Sequence, residues 1–309
     1  MGCDFPIPAY RSTEKSATGK RLLVFNPKNA VDSATGRLDL PCGQCTGCRL
    51  ERSQQWAVRM MHEAQLHEFN CFLTLTYKDE EVPQNYGLVL EHCQDFMKRL
   101  RRHADYHHEG LKIRFYLAGE YGDNFGRPHY HAAIFGYDFP DKVLLKKNEQ
   151  GQPLYTSEIL DRLWTHGSTT TAGLDYDSAA YIARYCVKKI GGPKAADHYY
   201  RLSPIDGQMH SVKPEFAVMS RRPGIGAAWL DTYKSDVFPS GLIVMNGVPK
   251  GPPRFYIHKL TEEEQDALRR QAKRRAVKHK GEKTNARRHV RATIRDARIS
   301  KLKRTTSGE

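Results

Sequence analysis

Apolar and polar residues alternate with a period of two in three stretches of the chain, "CFLTLTY" (71–77), "IRFYLAGEYG" (113–122) and "GRPHYHAAIFG" (126–136). A period of two marks a β-strand, whose successive side chains point to opposite faces. In the first stretch Leu73, Leu75 and Tyr77 alternate with Thr74 and Thr76, the pattern of a half-buried strand. The polar "GDNFGR" between the other two is a hairpin connection, so 112–136 reads as a β-hairpin. Helical spacing takes over at Ala179, Ile182, Cys186 and Ile190, which predicts an amphipathic helix over 177–192 with Asp177 as N-cap and Gly191 at its end. Further helices are expected within 48–68, over 90–104 and near 156–164, with a loop insertion around "KKNEQGQP" (146–153). Strands interrupted by helices and joined by a hairpin, rather than by regular βαβ units, predict an antiparallel α+β sandwich.

The third stretch gives two strand positions to imidazoles. His129 and His131 are two apart, so they share a face with Ala133 and Phe135. If Glu120 pairs with His129 across the hairpin, Ala118 faces His131, and one carboxylate joins two imidazoles on the sheet. Such a His2Glu set leaves coordination positions open on a divalent ion, Mg²⁺ or Mn²⁺, which could bind a phosphate and act as Lewis acid. An edge hairpin whose histidines bond to neighbours or water has the same spacing. On the helix, Tyr181 and Tyr185 lie one turn apart on one stripe, and Lys188 and Lys189 extend it. A free phenol has a pKa of about 10, and neighbouring cations are what turn it into a nucleophile near neutrality. An aromatic pair filling core beside solvated lysines is the other reading of this stripe. Metal, phenol and lysine make chemical sense together when the substrate is a phosphodiester.

"CFLTLTY", "GRPHYHAAIFG" and "YIARYCVKK" resemble the three ordered motifs of the HUH endonucleases, the superfamily of rolling-circle replication initiators and plasmid relaxases. The flanking phrases "PCGQCTGCRLERSQQWAVRMMHEA" (41–64) and "MSRRPGIG" (219–226) are similar to those of the replication initiators of gokushovirus-like microviruses, small single-stranded DNA phages. The resemblance covers roughly residues 40–230. It implies a central antiparallel sheet flanked by helices, and that His129 and His131 are the histidine pair, Glu120 the third ligand, and Tyr181 and Tyr185 a paired nucleophile. It further implies a nick in single-stranded DNA at the phage origin, a covalent 5′-phosphotyrosine, a 3′-hydroxyl primer for rolling-circle synthesis, and rejoining of the product strand. A relaxase or transposase with the same chemistry is one alternative, and a non-catalytic DNA-binding or packaging protein is another. A zinc hydrolase is disfavoured, since no H-E-x-x-H occurs and the phenol pair would have no role.

Charge agrees with a polyanionic partner. Lys and Arg number 49 against 35 Asp and Glu, a formal net charge of +14, and such an excess steers nucleic acid toward the protein. From Lys259 onward 17 basic face 7 acidic residues. That tail opens with a T-x-x-E capping box, Thr261 to Glu264, and reads as a helix that frays into disorder; a solvated helix with no partner has the same pattern, but the surplus of arginine favours an arm that binds phosphate backbones. The expected division is an N-terminal strap (1–40), a nuclease domain (41–240), a linker or strand (241–258) and the basic tail (259–309). No G-x-x-x-x-G-K-[ST] is present, so unwinding is expected from a host helicase, with a host polymerase extending the primer. No apolar run approaches membrane-spanning length, and seven cysteines without a secretion signal point to a reducing compartment, which for a protein of the phage family it resembles would be the host bacterial cytoplasm. Cys42, Cys45 and Cys48 are spaced like ligands of zinc or an iron-sulfur cluster but are one thiolate short, with Cys71, Cys3 or His62 as possible completions. Cysteines that merely pack give the same pattern.

Overall fold

The computed structural model describes residues 2–17, 21–32, 36–122, 125–148, 151–189, 192, 195–238, 240–277 and 284–300, leaving aside the side chains of 185–188, 276, 299 and 300. The chain divides into two compact units, one of Met1–Arg52 with Ala272–Lys303 and one built on Ser53–Gln271. The first holds a small antiparallel sheet of β1 (Ile7–Lys15), β2 (Arg21–Val24) and β3 (Leu38–Leu40), with β1 in the middle. Helix α1 (Thr46–Ala64) starts in this unit.

The larger unit is organised by one sheet. Its strands are β4 (Asn70–Thr76), β5 (Arg114–Tyr121), β6 (Pro128–Phe135), β7 (Val143–Lys147), β8 (Pro153–Thr156), β9 (Thr169–Gly173) and β12 (Phe216–Met219). They pair antiparallel in the order β12-β5-β6-β4-β9-β8-β7, as the α+β reading expects. Between β9 and β12 come α4 (Tyr176–Lys188), the short α5 (Ala195–His198) and a small hairpin of β10 (Tyr200–Leu202) and β11 (Met209–Ser211). The period-two pattern sends Leu73, Leu75, Leu117, Ala132 and Ile134 to one face, against α2 (Leu90–His107) and α3 (Glu158–Trp164). Helix α2 meets them with Cys93, Phe96, Met97, Leu100 and Ala104, a stripe at helical spacing. The other face carries Phe72, Tyr116, Ala118, Ala133 and Phe135 against Ala57 and Met60 of α1 and Ala179, Ile182 and Ala183 of α4. Burying a large apolar side chain in either layer contributes roughly 1.5–3 kcal/mol. A third cluster gathers Val58 with Trp229 and Leu230 of α6 (Ala227–Val237), Ile243 of β13 (Ile243–Met245) and Tyr256 of α7 (Arg254–Ile257), beyond the short partner strand β14 (Val248–Lys250).

Several expectations change in detail. The first strand is covered on both faces rather than one: Thr74 is buried together with Phe72, because helices pack on each side of the sheet. The tyrosine helix is capped by Asp175, two residues before Asp177. Asp175 has an extended backbone, its carboxylate accepts from Ser178 N–H at 2.8 Å, and its own N–H donates to Ser178 Oγ at 2.9 Å. Gly191 lies outside the described residues. The insertion around 146–153 is the end of a hairpin, β7 with β8, whose outer strand is exposed throughout and therefore shows no alternation. In the tail, the Thr261–Glu264 capping box forms as expected at the start of α8 (Glu262–Val277). Fraying does not describe residues 285–300, which form a further helix, α9 (Asn285–Ser300). Within the smaller unit α9 is held by charge, Arg288 to Asp39 at 2.6 Å and Arg295 to Asp4.

Candidate metal and nucleophile centre

The pairing of β5 with β6 sets Glu120 opposite His129 and Ala118 opposite His131. Pairing of β4 with β6 on the other side sets Thr74 opposite His131. All these side chains share the sheet face beneath α4. Glu120 Oε1 lies 2.7 Å from His129 Nε2 and 3.1 Å from His131 Nε2, and the ligand atoms of the three residues fall within 4.8 Å of one another. The group is buried, with His131 wholly inaccessible. Burial alone would raise the Glu120 pKa, but the two imidazole contacts outweigh it and hold the carboxyl at about 2.

The outer nitrogens decide what the inner ones offer. His129 Nδ1 lies 3.1 Å from the Arg127 carbonyl, which can only accept, so Nδ1 carries the hydrogen. A neutral His129 then turns an unprotonated Nε2 toward a carboxylate oxygen. Two acceptors 2.7 Å apart repel unless a cation, a proton or a metal ion, stands between or beside them. Thr74 Oγ1 lies 3.1 Å from His131 Nδ1 and holds that ring through a hydroxyl that can accept from it or donate to it. A backbone carbonyl on the outer nitrogen, as at His129, is a usual support of metal-binding histidines. Donor set, spacing and support all fit a divalent ion.

Tyr181 comes to the same place from above. Its ring is buried, 5.1 Å from the His131 ring and 6.3 Å from that of Phe72, with the Arg184 guanidinium 5.9 Å from its centroid. Tyr185 and Lys188 belong to α4 by their backbone, but their side chains lie outside the described residues. Lys189 is exposed at the C-cap, where the backbone leaves helical geometry. The structure thus gathers Glu120, His129, His131 and Tyr181. Thr74 and Arg184 are additions that sequence reading misses. Thr74 is detectable as the position of "CFLTLTY" that shares a face with the histidines, and Arg184 as the cation three residues after Tyr181.

An antiparallel sheet bearing a buried carboxylate and two imidazoles under a tyrosine helix defines an α+β class whose donor set suits a divalent ion. Residues 70–190, which run from β4 through α4, match the family of replication-associated protein ORF2/G2P. Over 263 residues the chain is 33% identical to replication-associated protein VP4 of Bdellovibrio phage phiMH2K, covering 83% of this chain and 76% of that one. It is 31% identical to replication-associated protein ORF4 of Chlamydia phage 1 (84% of this chain, 63% of the other), and 33% identical to replication-associated protein ORF2 of Spiroplasma virus 4 (71% and 65%). The match therefore spans just under two thirds of the latter two relatives. No solved structure matches the chain. The chain belongs to the replication-associated protein family of these microvirus-like phages.

Proposed function

We propose that this chain initiates phage replication by nicking single-stranded DNA at the origin and carrying the 5′ end on a tyrosine. The observation that carries the reading is the buried Glu120–His129–His131 group, within ring contact of Tyr181. A divalent ion, Mg²⁺ or Mn²⁺, held by Glu120, His129 and His131 would supply Lewis-acid stabilisation of charge on the scissile phosphate. Arg127 and Thr74 keep the two imidazoles turned inward, and Glu120 fixes their spacing. The Tyr181 or Tyr185 phenolate oxygen attacks phosphorus, the bond from phosphorus to the 3′ oxygen breaks, and that oxygen takes up a proton to become the primer hydroxyl. Lys188 and Lys189 act as cations for the phenolate or the phosphate. The phosphotyrosine bond keeps the energy of the cleaved diester, so a later 3′-hydroxyl can displace the phenol and close the strand without nucleotide hydrolysis. The partners are origin DNA and, in the host cytoplasm, a helicase and a polymerase. Among the described residues no helix is long and apolar enough to cross a membrane.

The test uses the full chain, single-stranded origin oligonucleotides, Mn²⁺ or Mg²⁺ and a denaturing gel. A covalent adduct should form, survive in part in Tyr181→Phe and Tyr185→Phe singly, and vanish in the double variant while DNA binding persists. Glu120→Gln or the paired His129→Ala, His131→Ala change should lower cleavage on the order of 100-fold, equivalent to about 2.7 kcal/mol. An adduct that persists in the double tyrosine variant would end this reading.

A further inference from the structure

A second set of metal-type ligands sits in the smaller unit and has no part in the chemistry proposed above. The sequence leaves Cys42, Cys45 and Cys48 one ligand short. In the fold Cys3 arrives from 39 positions before Cys42, and the four sulfurs lie within 4.8 Å of one another. Cys3 Sγ and Cys45 Sγ are 3.8 Å apart, and all four cysteines are free thiols. Sulfurs bound to one tetrahedral ion at about 2.3 Å have mutual separations of about 3.8 Å. A cluster of several irons would spread its cysteine sulfurs over more than one metal centre, further apart than these four.

The backbone supports sulfurs that carry negative charge. Cys42 N–H points at Cys3 Sγ (3.2 Å), Cys45 N–H at Cys42 Sγ (3.3 Å) and Asp4 N–H at Cys45 Sγ (3.4 Å). The turn from Cys42 to Cys45 depends on Gly43, whose φ of 76° is a left-handed conformation that a side chain would disfavour. Asp4, next to Cys3, is in turn fixed by Gly47 N–H at 3.1 Å and by Arg295.

The unit needs such a fastening. Among its described residues Ala9 and Ala292 are the only apolar side chains that are buried, while Phe5, Ile7, Leu22, Leu23 and Phe25 of the strand region are exposed. Two alanines are no hydrophobic core, and small units of that kind rely on metals or cross-links.

We propose that Cys3, Cys42, Cys45 and Cys48 bind one structural zinc ion that ties the N-terminal segment to the first turn of α1. The site is closed, with four protein ligands and no position for a substrate, so its role is to hold the fold together.

Full-length protein purified without added metal should contain one zinc per chain by elemental analysis. That zinc should persist in the paired His129→Ala, His131→Ala variant and in Cys71→Ala, and be lost in Cys3→Ser and in Cys45→Ser. A serine variant could fail for want of folding, so wild-type protein is also stripped with a chelator and titrated with Co²⁺. One equivalent should bring up the near-ultraviolet thiolate-to-cobalt charge-transfer band and the visible bands of a tetrahedral site, and zinc should then erase both. Absence of those bands, undiminished zinc in Cys3→Ser, or iron with acid-labile sulfide in place of zinc would each overturn the proposal.

Discussion

His62 is an imidazole kept neutral by its surroundings. It stacks on the Trp229 ring at 3.5 Å, its Nδ1 lies 3.0 Å from the Tyr256 hydroxyl, and burial pushes its pKa down to about 4. An unfolded histidine titrates near 6.5, so between pH 6.5 and 4 the unfolded chain binds the extra proton and the native one does not. The stability this group contributes is therefore complete above pH 6.5 and falls as pH drops toward 4, by on the order of 3 kcal/mol. Burial lowers His92 and His103 in the same direction, so the measurement is a difference between proteins. Urea midpoints of the wild type should fall between pH 6.5 and 4.5 more steeply than those of His62→Phe. Parallel curves would show that His62 carries no such linkage. The carboxylates act at lower pH: Glu63, held down by His67, Gly226 and Arg114 against its burial, loses its contribution as pH falls below the ordinary range for glutamate.

Elements are readable from sequence to the extent that one side of them is buried and the other is not. Period two places His129, His131, Ala133 and Phe135 on one face, and Glu120 opposite His129, because a strand in the middle of a sheet has no freedom to turn. Strand β7 escapes notice because all its residues are exposed, which leaves no pattern for burial to impose. The cap of α4 is misplaced by two residues for another reason: Asp175 and Asp177 are chemically alike, and only the extended backbone at Asp175 lets its carboxylate reach Ser178. Cys3 is one of three candidates for the fourth ligand of the cysteine group, since spacing along the chain says nothing of a partner so far from Cys42. The cap has a measurable value. Asp175→Ala should cost about 1 kcal/mol of stability, and Asp175→Asn much less, because the amide oxygen still accepts from Ser178. If Asn and Ala are equally destabilising in chemical denaturation, the carboxylate acts through another contact, such as the one from Gln152 Nε2 at 2.7 Å.

On the scale of the molecule, a formal charge of +14 would make affinity for DNA, the proposed partner, a function of salt. Neutralising three to five phosphates of a single strand gives a roughly 20- to 130-fold loss of affinity between 50 and 200 mM salt. The tail does not contribute all of its cations, because Arg288 and Arg295 are engaged by Asp39 and Asp4. Arg270, Lys273 and Arg274 on α8 are exposed, and reversing them to glutamate should weaken binding to every sequence alike and flatten the salt slope. An unchanged slope, or a loss confined to origin DNA, would place the phosphate contacts elsewhere.

The contact of Asp4 with Arg295 joins positions 291 residues apart. At ribosomal rates of about 5–20 residues per second, some 15–60 s separate the emergence of the two partners. The four cysteines, by contrast, lie within 45 positions of one another and emerge together in about 2–9 s. An ion captured there would act as a placeholder, holding the N-terminal segment to the first turn of α1 until α9 brings Arg288 and Arg295 to Asp39 and Asp4.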